Sequence, residues 1–111
     1  MSKPGILGQS EFLVLLAVLR LGRDAYGVPI SREIAAQIGR DPAVAGIYTT
    51  LERLVERGLV TAKTGEPTAV RGGRAKTYFK VTAKGLRELR ASQTALQRFW
   101  SGIPQLEGGS S

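Results

Sequence analysis

The side chains in this sequence best placed to do chemistry are suited to holding a polyanion rather than to breaking bonds. Residues 59–85 carry six Lys or Arg and one Glu, within a chain whose net charge is +7. At the centre of that segment Arg71 and Arg74 flank Gly72 and Gly73, with Lys63 and Lys76 to either side. Each phosphate neutralised by such a stretch releases condensed counterions, so concentrated basic charge is a footprint for nucleic acid. Charge alone fits a solvated surface loop equally well. A second group, Tyr48, Thr49, Thr50 and Arg53, lies in AVAGIYTTLERLVERGLV, residues 43–60. Thr can meet a thymine methyl or a base edge, and Arg can pair bidentately with guanine.

Other chemistries find little support. The chain has no Cys and no His, hence no thiolate or imidazole for a metal, no disulfide and no imidazole base. Neither a phosphate loop nor a nucleophile–base pair is visible, so no enzyme, metal or cofactor is expected. At 111 residues the chain suits one domain. Its longest apolar run, residues 12–19, is far below the ~20 residues that cross a bilayer, and no signal peptide is recognisable. The cytoplasm is the expected location, with no membrane partner.

The elements that must position the basic segment are helices. Residues 1–8 read as a flexible arm, and Ser10 is placed to cap a first helix ending near Leu21. That helix is apolar nearly all round, so a second copy of the chain is expected to cover part of it, at Phe12 and Leu16. Residues 25–30 lead into a second helix through Ile38, with Pro29 tolerable in its first turn, Ile30, Ile34, Ala35 and Ile38 inward and Ser31 and Arg32 outward. In the third, Val44, Ile47, Tyr48, Leu51, Leu54 and Val55 form the apolar stripe, and Gly58 ends it as a left-handed cap. The short link at 40–42 makes the two helices cross steeply, as in a helix-turn-helix. Two strands follow, with Thr77, Phe79 and Val81 inward and the Gly72–Gly73 tip between them. The fold class is therefore mainly α with a small β-hairpin, α+β: a winged helix-turn-helix over 9–82, including the wing at 59–81.

Thr82 caps a last helix, a dimerisation helix over 83–103. Leu86, Leu89, Gln93, Leu96, Trp100 and Ile103 recur in steps of three and four, a heptad seam whose simplest partner is its own two-fold copy. Residues 104–111 read as a disordered tail. Tyr48 keeps two readings: it either packs in the core or sends its hydroxyl to a phosphate. Trp100, in the seam, reads as a dimer-core residue.

Six stretches together resemble the PadR-like transcriptional regulators of the short kind: LLAVLRLG at 15–22, AYGVPI at 25–30, GIYTTLERL at 46–54, RGLV at 57–60, RGGRAKTY at 71–78 and VTAKG at 81–85. The resemblance implies a bacterial homodimeric repressor on inverted-repeat operator DNA, with the C-terminal helix supplying much of the dimer interface. It also implies that Tyr48 and the residues after it approach double-stranded DNA, and that the RGGR tip follows the backbone or minor groove. Some members respond to phenolic acids or flat aromatic drugs, which points to a small aromatic effector at Trp100. The competing class is a winged-helix protein-interaction module, because the first 58 residues are nearly balanced in charge.

Overall fold

The computed structural model describes residues 6–40, 43–65 and 76–107. Helices α1 (Gln9–Leu21), α2 (Gly27–Ile38) and α3 (Val44–Glu56) are followed by strands β1 (Val60–Thr64) and β2 (Thr77–Val81) and by helix α4 (Ala83–Trp100). The two strands form one antiparallel hairpin. This is the winged helix-turn-helix, of α+β class, that the periodicities imply.

Helix α1 opens one residue before the expected cap. Gly8 stands at its N-cap, and the Glu11 carboxylate reaches back to accept the Gly8 N–H at 3.2 Å, so Ser10 has no capping role. Val14, Leu15, Ala17 and Val18 are buried, and with Ile30, Ile34, Ile47, Leu51, Leu54 and Leu59 they make the core. The arm is shorter than expected. Leu7 is buried, and its N–H donates to the buried Ser92 hydroxyl at 3.0 Å, tying the chain's start to α4. Ile38, expected in the α2 stripe, is exposed at the last residue of its helix.

Gly58 ends α3 in the left-handed region (φ 76°), a conformation that carries no Cβ penalty in glycine. The reversal lets the Leu59 N–H donate to the Leu54 carbonyl and sends the chain into β1. Register puts Val60, Ala62 and Thr64 beside Val81, Phe79 and Thr77 on one hairpin face, and Thr61 and Lys63 beside Lys80 and Tyr78 on the other. Phe79 and Val81 are buried as expected, whereas Thr77 is exposed at the end of the hairpin nearest the connecting loop. The Phe79 N–H donates to the Ala25 carbonyl at 2.8 Å, which pins the hairpin to the α1–α2 connection.

Helix α4 starts where Thr82 accepts the Gly85 N–H at 3.0 Å and donates to the Gly58 carbonyl at 2.7 Å. Gly85 lies so close to the Leu59 carbonyl and the Val81 side chain that a Cβ there has no room. The expected seam divides. Leu89 is buried in the chain's own core, and Leu86 packs against that core. Phe12, assigned to the dimer surface with Leu16, likewise packs partly on the core, leaving Leu16 exposed. Beyond α4 the chain turns instead of trailing away. The Gly102 N–H donates to the Glu107 carboxylate at 2.6 Å and the Leu106 N–H to the Ile103 carbonyl at 3.0 Å, so the expected disorder does not describe 104–107.

Candidate nucleic-acid interface

The surface of α3 is set by which way its stripe turns. Ile47, Thr50, Leu51 and Leu54 are the buried residues, spaced three and four apart. Val44, Tyr48 and Val55, expected with them, are instead 42%, 44% and 38% exposed on the flank. The same rotation corrects Thr50. It lies one turn after Ile47 on the inward side, only 6% exposed, beside Leu13, Val14 and Ile34. Thr50 cannot read a base from there.

What remains outward is Ala45, Gly46, Thr49, Glu52, Arg53 and Glu56. Thr49 is exposed and donates its hydroxyl to the Ala45 carbonyl at 3.1 Å, so its methyl group is the part left free of hydrogen bonding. Arg53 is exposed and makes no ion pair among the described residues. Glu52, one residue before it, is exposed too, but lies with Tyr48 and Val55 along the groove between α3 and the hairpin.

Tyr48 answers the two readings with a third placement. Its hydroxyl end lies against Gly27, the first residue of α2, so closely that no side chain fits at position 27. On α2, Arg32 is exposed and Ser31 half-buried. Just before β2, at the loop end of the hairpin, Lys76 lies over the Tyr26 ring, 4.5 Å from its centroid, with its ammonium 3.3 Å from the Tyr26 hydroxyl. The Tyr26 and Tyr78 rings meet edge to face at 5.4 Å. Lys63 falls on the hairpin face turned from α3, opposite Tyr78. Arg71, Gly72, Gly73 and Arg74 lie outside the described residues.

The joint between α3 and α4 carries contacts that periodicity does not reveal. The Arg57 guanidinium bridges Glu11 of α1 at 2.8 Å and Glu88 of α4 at 3.1 Å, and both carboxylates are nearly buried. Lys84 donates to the Arg57 carbonyl at 2.9 Å. A charge pattern alone shows no such triad, because its members are 46 and 31 residues apart. On the opposite flank Glu33 holds Gln37 and Arg20. The Gln37 hydrogen bond and then the Arg20 contact keep its carboxyl below the ordinary Glu range.

Residues 15–91 match the family model described as the transcriptional regulator PadR-like family. The chain belongs to that family. It is a DNA-binding transcriptional regulator and not an enzyme. Among solved structures, a transcriptional regulator from Clostridium thermocellum superposes with TM-score 0.70 at 21% identity, covering 89% of this chain and 90% of the other. A PadR family regulator from Clostridium difficile gives 0.68 at 17% identity, covering 83% and 91%. A PadR-like regulator from Bacillus cereus gives 0.66 at 17% identity, covering 90% and 91%. At these identities the likeness is one of fold. No curated protein matches the chain. Among the described residues of this PadR-like chain, no helix is long and apolar enough to cross a membrane.

Proposed function

We propose that this PadR-like chain acts in the cytoplasm as a homodimeric repressor on an inverted-repeat operator. The observation that carries the reading is the outer surface of α3, where Ala45, Gly46 and Thr49 leave a low, uncharged patch beside an unpaired Arg53. A helix so bare can sit deep in a major groove, with Thr49 and Arg53 at base edges. Arg32, Ser31, Lys76 and the wing arginines Arg71 and Arg74 take the phosphate contacts that position the helix without specifying sequence. Tyr48 adds its hydroxyl at the opening turn of α2, where free N–H groups favour an anion.

The far half of α4 supports pairing of two copies. Leu96, Phe99, Trp100, Ile103 and Leu106 form an apolar patch, with Phe99 78% exposed. Such a surface is characteristic of an interface. Two copies joined there present two α3 helices to successive major grooves about one turn apart. A small aromatic effector stacking on Trp100 within that patch is the simplest route to release.

Selection of bound genomic fragments by the purified protein, followed by gel shifts at two salt concentrations, tests the reading. An inverted repeat should emerge. Arg71→Ala with Arg74→Ala should weaken all sequences alike and flatten the salt dependence, whereas Arg53→Ala should relax sequence preference. A protein that ignores duplexes at low salt would sink the proposal.

A further inference from the structure

Helix α4 rests on the remainder of the chain through few apolar side chains. Leu89 is buried and Leu86 packs partly beside it. Two leucines hold a helix down without saying which way it points, because the hydrophobic effect has no direction. Hydrogen bonds have one. At the first turn of α4 the Thr82 hydroxyl donates to the Gly58 carbonyl at 2.7 Å and the Lys84 ammonium to the Arg57 carbonyl at 2.9 Å, which makes a pivot at the end of α3. A pivot alone leaves the helix free to swing.

Further contacts remove that freedom, and they form a closed ring. Arg57 donates from Nη2 to Glu88, one turn beyond Lys84 on α4, and from Nη1 to Glu11 at the start of α1. Glu11 also accepts the Gly8 N–H, and the adjoining Leu7 N–H donates to Ser92, one turn beyond Glu88. The ring thus runs from α3 through Arg57 to the chain's start, from there through Ser92 to α4, and back through Glu88. It grips α4 at two levels about 6 Å apart along the axis. Arg57 alone among the described residues joins the two acids, whose side chains are 11% and 8% exposed. Its planar fork holds both at once.

We propose that Arg57 is a positioning residue that sets the direction in which α4 leaves the DNA-binding unit, and with it the separation of the two α3 helices in the paired protein. Any change of direction at the ring is magnified at Trp100, about 18 Å further along α4. Adjacent base pairs are about 3.4 Å apart and turned by about 35°, so two helices held at one separation match one spacer between half-sites. The consequence for DNA rests on the homodimer proposed above, whereas the direction of α4 does not.

The chain has no Cys, so spin labels at Ala45→Cys in the first turn of α3 and Arg98→Cys near the end of α4 report a single distance. Labelled chains diluted into excess unlabelled protein keep that distance within one chain, at a temperature where melting curves show every variant folded. The otherwise wild-type chain should give one narrow distribution. Arg57→Met should widen it about twofold, because an apolar side chain replaces directional contacts. Glu88→Met, which cuts the α4 contact and spares Glu11, should do nearly the same. Ile34→Ala, at the junction of α1, α2 and α3, lowers stability without touching the ring and should leave the width unchanged. No widening in Arg57→Met, or equal widening in Ile34→Ala, would overturn the proposal. On an inverted repeat, adding or removing one base pair between half-sites should weaken the wild type at least about tenfold, ~1.4 kcal/mol, and Arg57→Met less than about threefold. Equal discrimination by the two proteins counts against Arg57 as well. If the wild type selected no inverted repeat, the repressor reading would fall and the distance distributions alone would decide the role of Arg57.

Discussion

The two halves of α4 carry the same apolar rhythm and meet different fates. In the first half Leu89 is buried, Gly85 lies against the Leu59 backbone, and Glu88 and Ser92 hold α3 and the chain's start. In the second half Leu96, Phe99 and Trp100 continue the pattern but remain 44%, 78% and 54% exposed among the described residues. A heptad says that a helix has an apolar side; it does not say whose residues cover it. Here the same helix packs on its own core over its first ten residues and presents an exposed apolar patch thereafter.

The contrast can be broken most forcefully in the anchored half. Leu89→Ala should cost about 2–5 kcal/mol, read as a lower urea midpoint, because it opens a cavity in the core. A loss below that range would mean that the first half is no better packed than the second. Arg57→Ala comes next. It leaves the nearly buried Glu11 and Glu88 carboxylates without their shared donor, and a loss of about 1–3 kcal/mol is expected once the guanidinium's partial exposure is allowed for. Arg57→Lys should recover only part, since one ammonium does not present the planar fork that reaches both acids.

In the free half the expected effect on folding is smaller and the effect on assembly is large. Phe99→Ser with Trp100→Ser should change the stability of the isolated chain by less than about 1 kcal/mol. Sedimentation should show the mass falling to that of one chain. A wild type that already sediments as one chain would remove the second half of the comparison. The smallest effect belongs to the exposed Arg20–Glu33 pair, a control for the Arg57 triad. The Glu33 carboxyl is depressed by Gln37 and Arg20, so its contribution is present above the unfolded-state pKa and is lost as pH falls through the folded value. Melting curves at neutral and acid pH should show that Glu33→Gln slightly flattens the acid-side decline and changes little at neutrality.

Much of this could be read from the residues alone. Ile30, Ile34, Ile47, Leu51 and Leu54 give their helices away by period, Gly58 marks a stop by its backbone freedom, and Thr82 caps α4 as its position implies. The PadR-like resemblance rests on short stretches whose order along the chain is itself informative. These signals are local: propensity, period and turn chemistry act over a few residues, and each is written in consecutive positions.

Tertiary structure alone decided the rest. Thr50 and Tyr48 are two residues apart on one helix, and only the packing of α1 and α2 against α3 determined that Thr50 turns inward and Tyr48 lies across Gly27. Lys63 and Lys76 look alike in sequence, yet Lys63 comes to line a groove with Arg23, while Lys76 lies over the Tyr26 ring. The Glu11–Arg57–Glu88 triad joins three elements distant along the chain. A helical stripe has a width of more than one residue, so period leaves its rotation open by about one position, and the neighbouring elements close that freedom.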